Sequence, residues 1–147
     1  MSDSMFDADS FLQATVEGQL STSRPSIPEL QDAQLVVKDL GIKVSGDFTI
    51  LDVVFICDEE SAREATGMAE PQIKHGVFLD LDSSGALDMG EGKNVDLGRL
   101  RAALGQNDGG PWAPAQMIGQ VCRGHVVQDP DKKDPSKIYN RIKAFAA

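Results

Sequence analysis

Between residues 34 and 44 the chain carries Leu35, Val36, Val37, Leu40, Ile42 and Val44, a set rich in β-branched side chains that predicts a strand. Ser45, Gly46 and Asp47 close it as a turn, and the apolar run resumes over 48–57, so a β-hairpin is expected. Residues 58–66 begin acidic and continue with good helix formers up to Gly67, which predicts one or two helical turns that Pro71 prevents from extending. A third strand is expected over 73–82, where Val77, Leu79 and Leu81 alternate with Phe78, Asp80 and Asp82, before Ser83, Ser84 and Gly85 turn the chain into a short return. Leu97, Leu100 and Leu104 fall at i, i+3 and i+7. They predict a helix capped by Asn94 or Asp96 and stopped at Gly105. After the loop 106–114 and a short turn ending at Gly119, strands are expected over 120–128 and 137–145. The two Asp-Pro pairs between them mark a turn.

Ahead of these elements, residues 1–30 read as a flexible acidic leader and an arm that Pro25 and Pro28 keep out of helix interiors and central strands. Phe11, Leu12 and Val16 offer a short apolar anchor within it. Residues 31–147 form one domain without internal repeats. Three strands, a helix and two strands make a β-rich α+β chain. That is the order of an OB-fold, a five-stranded barrel with a helix between strands 3 and 4 that binds oligonucleotides. Small β-sandwiches and other α+β folds share parts of the pattern.

The 147 residues carry 14 Lys+Arg against 23 Asp+Glu, a net charge of −9, but unevenly. Residues 1–91 hold −13 and residues 92–147 hold +4, as expected if one face meets a polyanion while the others resist non-specific contact. Two cysteines give no disulfide framework and point to a reducing compartment. No apolar run reaches membrane-span length and the N-terminus is acidic, so a cytoplasmic protein without membrane contact is expected.

Asp80, Asp82, Ser84, Gly85, Asp88 and Glu91 occupy positions 1, 3, 5, 6, 9 and 12 of a calcium-binding EF-hand loop. The flanking helices such a loop needs are interrupted by Pro71, Gly76, Gly90 and Gly92, so a solvated acidic hairpin is the preferred reading. Cys57, His75, Cys122 and His125 supply zinc ligand types, but 122 and 125 point to opposite faces of a strand. No nucleophile motif or phosphate loop occurs, which disfavours an enzyme, and no metal or cofactor is assigned.

The last strand carries the sharper signal. With period two, Tyr139, Arg141, Lys143 and Phe145 share one face, interleaving rings on which bases stack with cations that neutralise phosphates. Arg123 and His125 on the neighbouring strand, Lys132 and Lys133 in the turn, and Lys137 extend that face. Trp112, in a Gly/Pro loop, serves either as a further stacking platform or as a plug over the barrel.

FLQATVEG, PSIPE, FTILDVVF, GVFLDLDSSGALDMGEGKNVDLGRLRAALGQN, PW.P..MIG and YNRIKAFA together resemble a family of small tailed-phage proteins grouped with phage single-stranded DNA-binding proteins. The likeness spans about residues 11–146, and its most specific block is 92–105. It implies an OB-like domain that coats single-stranded DNA during replication or recombination in an infected bacterial cell, working with phage or host replication proteins and self-associating along the strand. Many such binders carry an acidic C-terminal tail, whereas no acidic residue follows Asp134 in this sequence, a departure from the expected pattern. The alternative expectation is a phage structural or protein-interaction module, such as a virion decoration subunit or host-factor inhibitor.

Overall fold

The computed structural model describes residues 6–21 and 25–146. The beginning of the expected leader, residues 1–5, and residues 22–24 of the expected arm lie outside the described residues. The elements are α1 (Ala8–Gln13), β1 (Leu30–Ser45), β2 (Phe48–Cys57), α2 (Glu60–Thr66), β3 (Gln72–Leu79), α3 (Val95–Ala103), a 3-10 turn (Pro114–Met117), β4 (Val121–Pro130) and β5 (Ile138–Phe145). The strands form one antiparallel sheet in the order β3-β2-β1-β4-β5, so the architecture is β-rich α+β. The sheet is open: no strand ladder joins β3 to β5 among the described residues. It nevertheless curls until its edges approach, with His75 on β3 edge-on to Phe145 on β5 at 5.2 Å between ring centres.

β2 follows its sequence pattern. Leu51, Val53, Phe55 and Cys57 alternate inward as period two requires. β1 is longer than expected because one strand serves two partners: residues 30–36 pair with β4 and residues 35–45 with β2. Its register jumps at Lys38, which stands opposite no β2 residue. That bulge reverses the alternation, so Ala33, Leu35 and Val37 face the core before it, and Leu40 after it. Where β4 lies against β1 and β5 a side chain at Gly124 would be crowded, since a Cβ there would stand 3.0 Å from a methyl of Leu35 and 3.1 Å from the Ala144 carbonyl oxygen.

Helix α3 closes one end of the core with Leu97 and Leu100. It stops at Gly105 (φ 72°), the left-handed position its sequence reserves for glycine. Asn94 occupies the N-cap position, but its side chain does not cap the helix. Instead the Asn94 amide donates to the Asp80 and Asp88 carbonyl oxygens and accepts from the Asp80 N–H, tying the helix start to the end of β3. β3 accordingly ends at Leu79 rather than continuing to Asp82, and Leu81 makes only an isolated bridge to Leu87.

The expected anchor is corrected. α1 carries no buried residue, and Phe11, Leu12 and Val16 are all exposed. The arm is held by Ile27, whose side chain is buried. Its backbone N–H donates to Asn140 Oδ1 at 2.8 Å, and its carbonyl accepts from Asn140 Nδ2 at 2.8 Å and Gln128 Nε2 at 2.9 Å. Packing therefore begins ahead of residue 31, with the end of the arm laid along β4 and β5.

Candidate functional site

Three of the four residues expected to share one face of β5, namely Tyr139, Arg141 and Lys143, are exposed. Phe145 departs from them. In the β4–β5 ladder His125 faces Ala144 and Val126 faces Ile142, leaving Lys143 as an extra residue in β5. This bulge turns the alternation over, so Phe145 joins the inward face of Ile142 and packs on Phe55 at 5.7 Å between ring centres. The expected row of two rings and two cations is thus corrected to one ring and two cations.

The cations of this hairpin differ in their freedom. Arg123 donates to the Asp32 carboxylate at 2.9 Å and to the Asp32 carbonyl at 2.8 Å. Arg141 is bound to the Asp129 carboxylate, which holds that carboxyl below its usual range. His125 sits 2.8 Å from Glu29. By contrast Lys132, Lys133, Lys137 and Lys143 are exposed, and among the described residues none has a carboxylate within 4.0 Å. Tyr139, on the same strand as Lys143, is 54% exposed, and the nearby Asp131 raises its phenol pKa, chiefly by accepting its hydrogen bond.

Trp112 resolves toward a plug. It is half-buried against the core, its indole N–H donates to Gln106 Oε1 at 3.0 Å, and the Arg101 guanidinium covers its ring at 4.1 Å. Arg101 is itself held by two hydrogen bonds to the Gln106 carbonyl.

A second aromatic surface escaped the reading of the sequence. Phe48 on β2 and Phe78 on β3 lie on the outer face of the sheet, 60% and 55% exposed, in edge-to-face contact at 5.5 Å. Ile50 pairs with both Lys43 and Phe78, which places Lys43 on this face too. Lys74 is also there, 3.6 Å from Asp52. Gly76 keeps the surface low, because a Cβ there would meet Ile50 at 3.3 Å. The signal available was parity: Phe48 and Ile50 occupy the positions of β2 opposite to Leu51 and Val53.

Neither metal ligand set converges. Asp82 Oδ1 accepts from the Ser84 N–H, the Ser84 hydroxyl and the Ala86 N–H, which depresses its pKa, and Asp80 accepts from the Asn94 N–H. Asp88 Oδ1 accepts from the Gly90 N–H. These carboxylates stitch their own loop. Cys57 and Cys122 are buried on either side of Leu35, both thiols pushed up to about 11, mainly by burial. His75 packs between Phe55 and Phe145. No group of three His, Cys, Asp or Glu residues able to hold a metal occurs among the described residues.

An exposed ring beside uncommitted ammonium groups can hold an anionic, aromatic polymer, by stacking and by neutralising phosphates. Among the described residues no helix is long and apolar enough to cross a membrane. In comparisons with known proteins, no protein-family model matches the chain and no curated protein matches it.

Proposed function

We propose that the protein is a non-enzymatic single-stranded nucleic-acid-binding module of OB type, which coats DNA during phage replication or recombination in the cytoplasm of an infected bacterium. The observation that carries this reading is the β4–β5 hairpin. In a chain of net charge −9, Arg123 and Arg141 of this hairpin are tied to carboxylates, while its four lysines, on the hairpin that carries the exposed Tyr139, have no carboxylate partner among the described residues. The strand order β3-β2-β1-β4-β5, with α3 between β3 and β4 and the edge strands in ring contact, supports a partly open Greek-key barrel over a sandwich. Phe48 and Phe78 on the β2–β3 face add stacking surface where OB-folds take oligonucleotides. Titration of the full chain with fluorescent oligo-dT at low and high salt tests the proposal. Binding that weakens steeply with salt supports it, and no affinity at low salt overturns it.

A second reading, a protein-interaction module, is favoured by the N-terminal segment. Phe11, Leu12, Val16 and Leu20 stand 59–82% exposed in acidic surroundings, as a segment that folds against a protein partner would. Under that reading the chain forms a stable complex with a phage or host protein and none with DNA.

A further inference from the structure

Where β3 and β5 approach, a cleft of about 540 Å3 opens beside α3, lined by His75, Asp96, Arg99, Ala102, Lys143 and Phe145. Its size lies within the range of small-molecule sites, about 300–1,000 Å3. Three nitrogen-bearing groups on this wall are left uncommitted or nearly so. The His75 imidazole is half-buried and makes no hydrogen bond among the described residues, its contacts being the rings of Phe55 and Phe145. Lys143, the bulge residue of β5, has no carboxylate partner. Arg99 has only Asp96, at 3.8 Å, with both side chains mostly in water.

Asp96 apart, the remaining side chains are apolar, among them the Phe145 ring and the Ala102 methyl group. Burial holds the His75 pKa below its usual value against the opposing pull of Asp96, so the ring is neutral at pH 7 and presents one donor and one acceptor. Two cations and an imidazole N–H suit an anion with several oxygens, and the apolar wall suits a flat or greasy body attached to it.

We propose that this cleft binds a phosphate monoester borne on an aromatic body, namely a nucleotide. The phosphate meets Arg99, Lys143 and His75, and the base lies against Phe145. A free nucleoside monophosphate and the phosphorylated end of a strand present the same chemistry. The cleft shares Lys143 with the strand-binding hairpin, but His75, Arg99 and Asp96 belong to β3 and α3, so the inference does not rest on the strand-binding reading.

The test is a titration of the full chain with dTMP, followed through the imidazole CH resonances. The sequence contains two histidines, so His125 serves as the internal control. The expected result is saturable movement of the His75 signals with His125 unmoved, and a much weaker response to thymidine, which lacks the phosphate. Arg99→Glu and Lys143→Glu should each weaken dTMP by about tenfold or more, as loss of a charge-assisted bond implies. Asp96→Asn should tighten it several-fold, by releasing Arg99 and removing a like charge. Ala102→Phe, at an exposed helix position, should fill the cleft and abolish the response while leaving the amide spectrum native. A 5′-phosphorylated oligo-dT that moves His75 where the 5′-hydroxyl form does not identifies a strand end as ligand; movement with dTMP alone identifies the free nucleotide. His75 unmoved at millimolar dTMP, equal response to thymidine, or indifference to Asp96→Asn and Lys143→Glu overturns the proposal. Anisotropy of labelled 5′-hydroxyl oligo-dT reads strand binding separately, so either idea can fail alone.

Discussion

The salt dependence of oligonucleotide binding can be set from the ion pairs. On single strands, log K falls with log salt by about 0.7 for each phosphate neutralised. Six cations of the β4–β5 hairpin were candidates: Arg123, Lys132, Lys133, Lys137, Arg141 and Lys143. Arg123 and Arg141 already neutralise Asp32 and Asp129, so bringing them to a phosphate gains little net charge. Four lysines then give a slope of about −2.8, and affinity should fall about fifty-fold between 50 and 200 mM salt. Were all six to act, the slope would be about −4.2 and the loss about three hundred-fold. Single Lys→Ala variants should each lower the slope by about 0.7, whereas Arg123→Ala and Arg141→Ala should leave it nearly unchanged. Anisotropy titrations with oligo-dT at four or five salt concentrations measure this. A slope near −4, or arginine variants that move it as much as lysine variants, would refute the assignment of free and committed cations.

Tyr139→Ala should weaken oligo-dT by about 1–3 kcal/mol without lowering the melting temperature, because the ring is exposed. Phe145→Ala should do the reverse, costing stability toward the about 3–5 kcal/mol of a buried phenylalanine, less for its partial exposure, as thermal melts would show. With thiol pKa values of about 11, only about one in a thousand of Cys57 or Cys122 is thiolate at pH 8, and both are buried. Neither should react with a thiol reagent until denaturant is added, when two equivalents should appear. The lowered His75 pKa means the unfolded chain binds this proton more readily than the folded one. Stability should therefore be full above the unfolded value near 6.5 and fall as pH drops through the lower folded value, and His75→Gln should flatten denaturant midpoints across that window.

The sites that sequence reasoning located and those it misplaced differ in what fixes them. The lysines of the 131–137 turn were legible because Asp134-Pro135 and the polar residues around it mark a loop, and loops are exposed, whereas the other Asp-Pro pair, Asp129 and Pro130, ends β4 in register with Tyr139 and Ile138. Phe145 was not, because counting by twos along β5 assumes an unbroken strand, and the extra residue at Lys143 is visible only against β4. The commitment of Arg123 was equally hidden, since Asp32 lies 91 residues away and meets it only because β1 pairs with β4. Phe48 and Phe78 could each be assigned to an outer face by parity, but their contact depends on the register that sets Ile50 opposite Phe78.

The sequence by itself determined the elements whose causes are local. The inward row of β2, the turn at Gly46, the stop of α2 at Gly67 and that of α3 at Gly105 each follow from side-chain period or from the one residue that accepts a left-handed backbone. The tertiary structure alone decided which strands became edges, where the bulges at Lys38 and Lys143 reversed the faces, and which charges were spent on one another. It also pinned Ile27 to Asn140 across 113 residues and turned Asn94 from a helix cap into a brace. Those outcomes depend on pairing between distant segments, and the energy that selects a register or an ion pair exists only once both partners are in place.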